Sequence, residues 1–188
     1  MKQIDVRFDA QTMDLMQSLL GSTLIKYKSD PFIFSPSVFG IVGIVTDRVS
    51  VAFTNSIKVM DYYGALEDVA VFQAEPRDEE DFNSMMVGAV MVDTCINGRI
   101  MAVDIVNEHQ KLFKNEMQTY DVWTIRGVIF RLEDGLELSL EKNVWFSEMI
   151  TIKKGYNLID DFAPITEFEE DWDEGYRGEC TREIITLH

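Results

Sequence analysis

The stretch that most constrains the fold is Gly127 to Leu140, GVIFRLEDGLELSL, where apolar and polar side chains alternate on either side of a glycine. Alternation with a period of two marks a strand that buries one face. A two-residue turn at Asp134 and Gly135 would mix charges into both faces. A three-residue loop, Glu133 to Gly135, sorts them. It puts Val128, Phe130, Leu132, Leu136, Leu138 and Leu140 on one side, sets Arg131 across from Glu137 on the other, and gives Gly135 the left-handed slot of a bulge.

The same texture fills most of the chain. The exception is Asp9 to Leu20, where Met13, Met16, Leu19 and Leu20 recur at helical spacing, Asp9 caps the first turn, Phe8 staples onto Met13 and Gly21 supplies the stop. Gly40 to Thr46 and Val49 to Phe53 read as a hairpin around Asp47 and Arg48, with Ile57 to Tyr63 and Asp68 to Gln73 as further strands. Asn97 and Gly98 both tolerate positive φ, which predicts a two-residue turn folding Val90 to Ile96 back on Arg99 to Val106. Short antiparallel hairpins with one helix, and no alternation of helix with strand, predict a mainly β (α+β) fold. The expected form is an antiparallel β-sandwich or partly open barrel with one N-terminal helix and a short acidic C-terminal helical or loop segment. The 188 residues are expected to form a single domain. Within it two β-rich halves, 1–76 and 85–165, would share one core, separated by the polar stretch Glu75 to Asn83 and followed by an acidic segment, 166–188.

Net charge narrows the function classes. At −16, with a pI near 4.4, the chain repels phosphate backbones and anionic membrane surfaces and attracts basic proteins. No apolar leader stands at the amino end and no run approaches the length of a membrane span, so a cytoplasmic protein is expected. Two cysteines, Cys95 and Cys180, have no metal-type spacing and read as reduced structural thiols. No GxGxxG, GxxxxGK[ST] or GxSxG motif is present and no cofactor is expected. His109, in the polar run NEHQK, reads as solvent-exposed.

Two groups of residues could carry chemistry. In FEEDWDEGYRGE, Phe168 to Glu179, the carboxylates fail the spacing of a calcium loop: from Asp171 as first ligand, Gly175 falls one place early and the twelfth position is Arg182. Phe168, Trp172 and Tyr176 are four apart and would align on one helical face, either docking on the sheet or meeting a partner. The partner-binding set is then Phe168, Asp171, Trp172, Asp173, Glu174 and Tyr176. In the second group, the hairpin register expected around Asn97 and Gly98 makes Asp93 and Asp104 diagonal neighbours about 7–8 Å apart, with Glu108 on the same face. Such carboxylates suit a divalent metal or an acid–base pair, although the same pattern describes the wet face of a sheet.

The expected function is a non-catalytic acidic intracellular binding module that engages a basic protein partner, inhibitor-like, immunity-like or mimicking a nucleic acid, through Glu75 to Asp81 and Glu167 to Glu179. The alternatives are a self-assembling homo-oligomer and a carboxylate enzyme with a divalent metal, centred on Asp93, Asp104 and Glu108.

Overall fold

The computed structural model describes residues 1–32, 35–143, 145–170 and 172–188. Among these residues eleven strands and two α-helices are formed: β1 (Lys2–Val6), α1 (Ala10–Ser18), β2 (Thr23–Ser29), β3 (Ser37–Phe39), β4 (Ile41–Thr46), β5 (Ser50–Tyr62), β6 (Ala65–Pro76), β7 (Val92–Lys114), β8 (Met117–Leu132), β9 (Glu137–Lys142), β10 (Met149–Gly155), α2 (Thr166–Glu169) and β11 (Tyr176–Leu187). The strands make one open sheet in the order β3-β10-β9-β8-β7-β2-β4-β5-β6, with β11 alongside β7 and β1 alongside β8. Pairing is antiparallel except between β1 and β8. The mainly β fold with an N-terminal helix and a short C-terminal helical segment is the one the alternation predicts.

The β8–β9 hairpin has the expected register. Arg131 pairs with Glu137, the Leu132 amide donates to the Leu136 carbonyl at 2.8 Å, and Gly135 sits at φ 83°. Helix α1 begins where Asp9 accepts from the Thr12 amide at 2.8 Å; it buries Met16 completely, and Leu19, the residue that caps its end, is buried as well. The main core joins Val42, Ile44, Phe53 and Phe72 to Phe130, Leu138, Leu140 and Ile150. Phe53 anchors both groups, stacking on Phe72 at 5.8 Å and meeting Phe130 edge-on at 5.9 Å.

The structure corrects the sequence reading at Asn97 and Gly98, where no hairpin forms. β7 runs through both residues as one strand of 23 residues. Asn97 does adopt positive φ, 56°, but it uses it in a bulge: Leu24 of β2 pairs with Gly98 while Lys26 pairs with Cys95. At this bend β7 passes from β2, which it accompanies as far as Arg99, to β8, which it meets from Ile100. A Cβ on Gly98 would stand 2.7 Å from Leu132 Cδ1, so the glycine lets the bent strand lie close against β8.

Further departures follow from strand length. The strands expected at Val49 to Phe53 and Ile57 to Tyr63 are parts of the single strand β5, which spans Ser50–Tyr62. Cys95 is exposed rather than packed, whereas Cys180 is buried. His109 is half-buried, with Nε2 2.6 Å from Asp121 Oδ1 and its ring stacked on Trp123 at 4.1 Å.

Candidate functional site

Even-numbered residues of the C-terminal half of β7 share one face, and there Glu108 and Gln110 are buried in phase with Val106 and Leu112. Burying a charge in that phase requires partners, and three neighbours supply them. Arg182, directly across on β11, donates from Nη2 to Glu108 Oε1 at 2.8 Å and to the Ala163 carbonyl at 2.7 Å. Gln110 donates from Nε2 to Glu108 Oε2 at 3.2 Å. Arg126 comes from a β8 bulge: Asn107 pairs with Ile125 and Val106 with Gly127, which leaves Arg126 outside the ladder. Its Nε lies 3.9 Å from Glu108 Oε1 and donates to Glu141 Oε1 at 3.0 Å. Glu141 also accepts from the Ala163 amide at 2.8 Å. Both polar groups of the Ala163 peptide unit and carbonyl are thereby tied to the charged network, which anchors the segment leading into α2.

That segment closes a cavity of about 230 Å³ over Glu108, Gln110 and Arg126. The walls are the rings of Tyr62, Trp145, Phe146 and Phe168. Tyr62 meets Trp145 at 5.6 Å and Phe146 at 4.7 Å between ring centroids, both steeply inclined. The Gln110 carbonyl oxygen accepts from the Tyr63 hydroxyl at 2.8 Å and from the Trp145 indole at 3.2 Å. Tyr63 and Gly64 form the tight turn between β5 and β6, and Tyr63 takes φ 49° there, an uncommon backbone for a bulky residue. Contacts with Tyr120, Phe168 and Trp172, at centroid distances of 5.0 to 5.5 Å, hold it in place.

Lys142 lies beside the cavity, only 4% exposed, with Nζ 4.3 Å from the centre of the Trp145 ring. Burial pushes its ammonium down to about 7, the Arg126 charge adds to the fall and Glu108 opposes it. The Cys180 thiol is pushed up to about 12 by burial and then by Glu108, so it is not a nucleophile at neutral pH. Burial likewise holds the Tyr63 phenol well above its ordinary value.

Of the residues singled out from the sequence, Phe168 lines the cavity and is buried. Trp172 is half-buried against Tyr63 and Phe168, at 5.0 and 5.3 Å, and a Cβ on Gly178 would stand 2.6 Å from its indole nitrogen. Tyr176 is exposed at the start of β11, with Lys114 Nζ 5.0 Å from its ring. Asp173 and Glu174 are exposed, and Asp171 lies outside the described residues. The three rings do not share a helical face, because α2 ends at Glu169 and Tyr176 already belongs to a strand. They converge because the chain turns at Gly175, whose carbonyl accepts from the Asn115 amide at 3.0 Å.

The carboxylate group Asp93, Asp104 and Glu108 is not brought together. Asp93 and Asp104 are eleven residues apart on a strand that does not fold back between them, a span of up to about 36 Å. Asp93 binds Lys26 Nζ at 2.6 Å. Asp104 is buried, accepting from the Thr186 hydroxyl at 2.7 Å and meeting Arg131 Nη2 at 2.5 Å. Glu108 alone reaches the cavity. Among the described residues no group of three or more His, Cys, Asp or Glu side chains could hold a metal ion.

The sequence reading missed Arg126, Glu141, Lys142 and Arg182. Part of the signal was present: Lys142 follows Leu138 and Leu140 in phase, and Glu108 and Gln110 lie between Val106 and Leu112 in phase, polar groups set in the buried register of a strand. Comparison with protein-family models, curated proteins and solved structures finds no match for the chain.

Proposed function

We propose that the protein is a non-catalytic binding module that engages a basic protein partner in the cytoplasm, in the manner of an inhibitor, with the acidic segment around α2 as the contact. One observation carries this reading: at least ten of the 17 lysines and arginines are held in ion pairs within the molecule, whereas Glu167, Glu169, Glu170, Asp173 and Glu174 are all exposed within one short segment. Each pair neutralises an acid as well as a base, so the net charge of −16 stands on the remaining surface acids, and such a surface steers basic partners to it. The stretch Glu75 to Asp81 contributes less. Glu79 holds Lys26 at 2.6 Å and Lys28 at 3.5 Å, and Glu75 pairs with Arg77. It also lies toward the far end of the β5–β6 hairpin, where Glu75 faces Ala52, ten residue steps from the Tyr62–Ala65 turn, or about 33 Å.

Titration with an octa-arginine peptide in low salt tests the assignment. Replacing Glu170, Asp173 and Glu174 by lysine should weaken binding about ten-fold or more, and the same charge change at Asp14, Glu67 and Asp68 about three-fold or less. Equal losses in the two variants would mean that bulk charge alone attracts the peptide and that the segment is not the contact.

A further inference from the structure

On the floor of the cavity beneath α2 donors are left over, while the unused acceptor, the Glu167 carboxylate, stands at its half-exposed edge. Glu108 has both carboxylate oxygens engaged, Oε1 by Arg182 and Oε2 by Gln110. The Gln110 carbonyl oxygen already accepts twice. Arg126 uses Nε on Glu141, and among the described residues neither Nη1 nor Nη2 has a hydrogen-bonded acceptor. The nearest acid to them is Glu167, with Oε2 3.7 Å from Nη2. What remains on the floor is a guanidinium edge and the second N–H of Gln110. Both are donors, so a ligand seated on the floor is held there by its acceptors.

The walls define the rest of the ligand. At about 230 Å³ the space exceeds the ~150 Å³ that holds a benzene ring, leaving room for one ring and a small polar group. The rings of Trp145, Phe146 and Phe168 offer it faces and edges. We propose that this cavity is a binding site for a small free aromatic carboxylate, its ring between the aromatic walls and its two oxygens on the fork of Arg126. The bulge in β8 is what turns Arg126 out of the ladder and toward the cavity. Glu167, with a side chain 47% exposed and Oε2 3.7 Å from Arg126 Nη2, competes with an incoming carboxylate for the guanidinium and repels it.

This site is independent of the acidic contact proposed above, and the test keeps the two apart. Benzoate is titrated into the folded protein by calorimetry, with the Trp145 indole signal followed by NMR, against benzylammonium as its cationic counterpart. The expected dissociation constant is on the order of 1 mM or tighter. Glu167→Gln should strengthen benzoate binding about three-fold or more by removing the competing, repelling carboxylate, and Arg126→Lys, which keeps the charge but loses the fork, should weaken it about ten-fold. Phe146→Ala, at an exposed rim position, should weaken it about three-fold without disturbing the fold. Acetyl-phenylalanine, a stand-in for the carboxyl end of a peptide, should bind about ten-fold more weakly than benzoate because the cavity has room for a ring and a small polar group but not for the added methylene and acetamide. Replacing Glu170, Asp173 and Glu174 by lysine should change benzoate affinity about three-fold or less. Preference for benzylammonium, weaker benzoate binding in Glu167→Gln, acetyl-phenylalanine binding as tightly as benzoate, or no saturable binding by about 10 mM would each overturn the proposal.

Discussion

Lys142 occupies the phase of β9 that Leu138 and Leu140 fill with leucine, and it bears the cost of that position. Its folded pKa of about 7 lies below the ordinary 10.5, so between those values the unfolded chain binds the extra proton. Stability therefore rises with pH across that window, and the full penalty of a buried charge is felt below it. Lys142→Met, close in length and apolar, removes the penalty. The variant should gain stability over the parent in urea unfolding at pH 6, and the gain should shrink by roughly 3 kcal/mol at pH 9.5. A gain that does not vary with pH would mean that the ammonium is well solvated in the folded state. The same residue shows what was legible at this scale. Charged side chains in the buried phase of a strand can be found by counting in twos, but their partners cannot. Arg126 and Arg182 reach Glu108 from two other strands, and Ala163 joins them through its backbone, where composition carries no information.

Among the elements, β7 is the one that organises the site. It is long enough to border β2 at one end and to lie between β8 and β11 at the other, and the bend between the two regions falls at Asn97 and Gly98. Gly98→Val should cost about 1–3 kcal/mol, because the new side chain meets Leu132 where only hydrogen fits now. Asn97→Gly, which keeps the positive φ accessible, should be within about 0.5 kcal/mol of the parent. Urea unfolding of the pair checks this, and a Gly98→Val protein as stable as the parent would mean that the bend tolerates a side chain. The dipeptide was legible as a place where the backbone turns left-handed. Whether such a place reverses the chain or bends it depends on what lies alongside, here β2 and β8, and that is a long-range fact. The β8–β9 hairpin was legible because its two strands and loop are contiguous and its leucines admit one register. Asp93, Asp104 and Glu108 inherited the error at Asn97, since their expected proximity rested on a fold-back that β7 does not make.

For the whole molecule the governing quantity is the net charge of −16 held on one folded body. Many of the cations are tied to particular carboxylates, and the most buried pairs, such as Arg182 with Glu108, are shielded from ions in solution. The excess acids lie outside and repel one another, which favours the expanded chain. Salt screens this repulsion over about 8–10 Å at physiological strength and leaves buried pairs nearly untouched, so its net effect should be to stabilise the fold. Raising sodium chloride from about 10 mM to 500 mM should add on the order of 1 kcal/mol, or about 2–4 °C in Tm for a chain of this size. The variant with Glu170, Asp173 and Glu174 changed to lysine carries six fewer net negative charges, −16 + 6 = −10. Its own repulsion is smaller, and it should gain less from salt than the parent does. A parent Tm that falls with salt would show that surface ion pairs, rather than unbalanced acids, dominate the electrostatics. It would also remove the physical basis for expecting a basic partner, because the attraction of such a partner and the relief of self-repulsion come from the same excess charge.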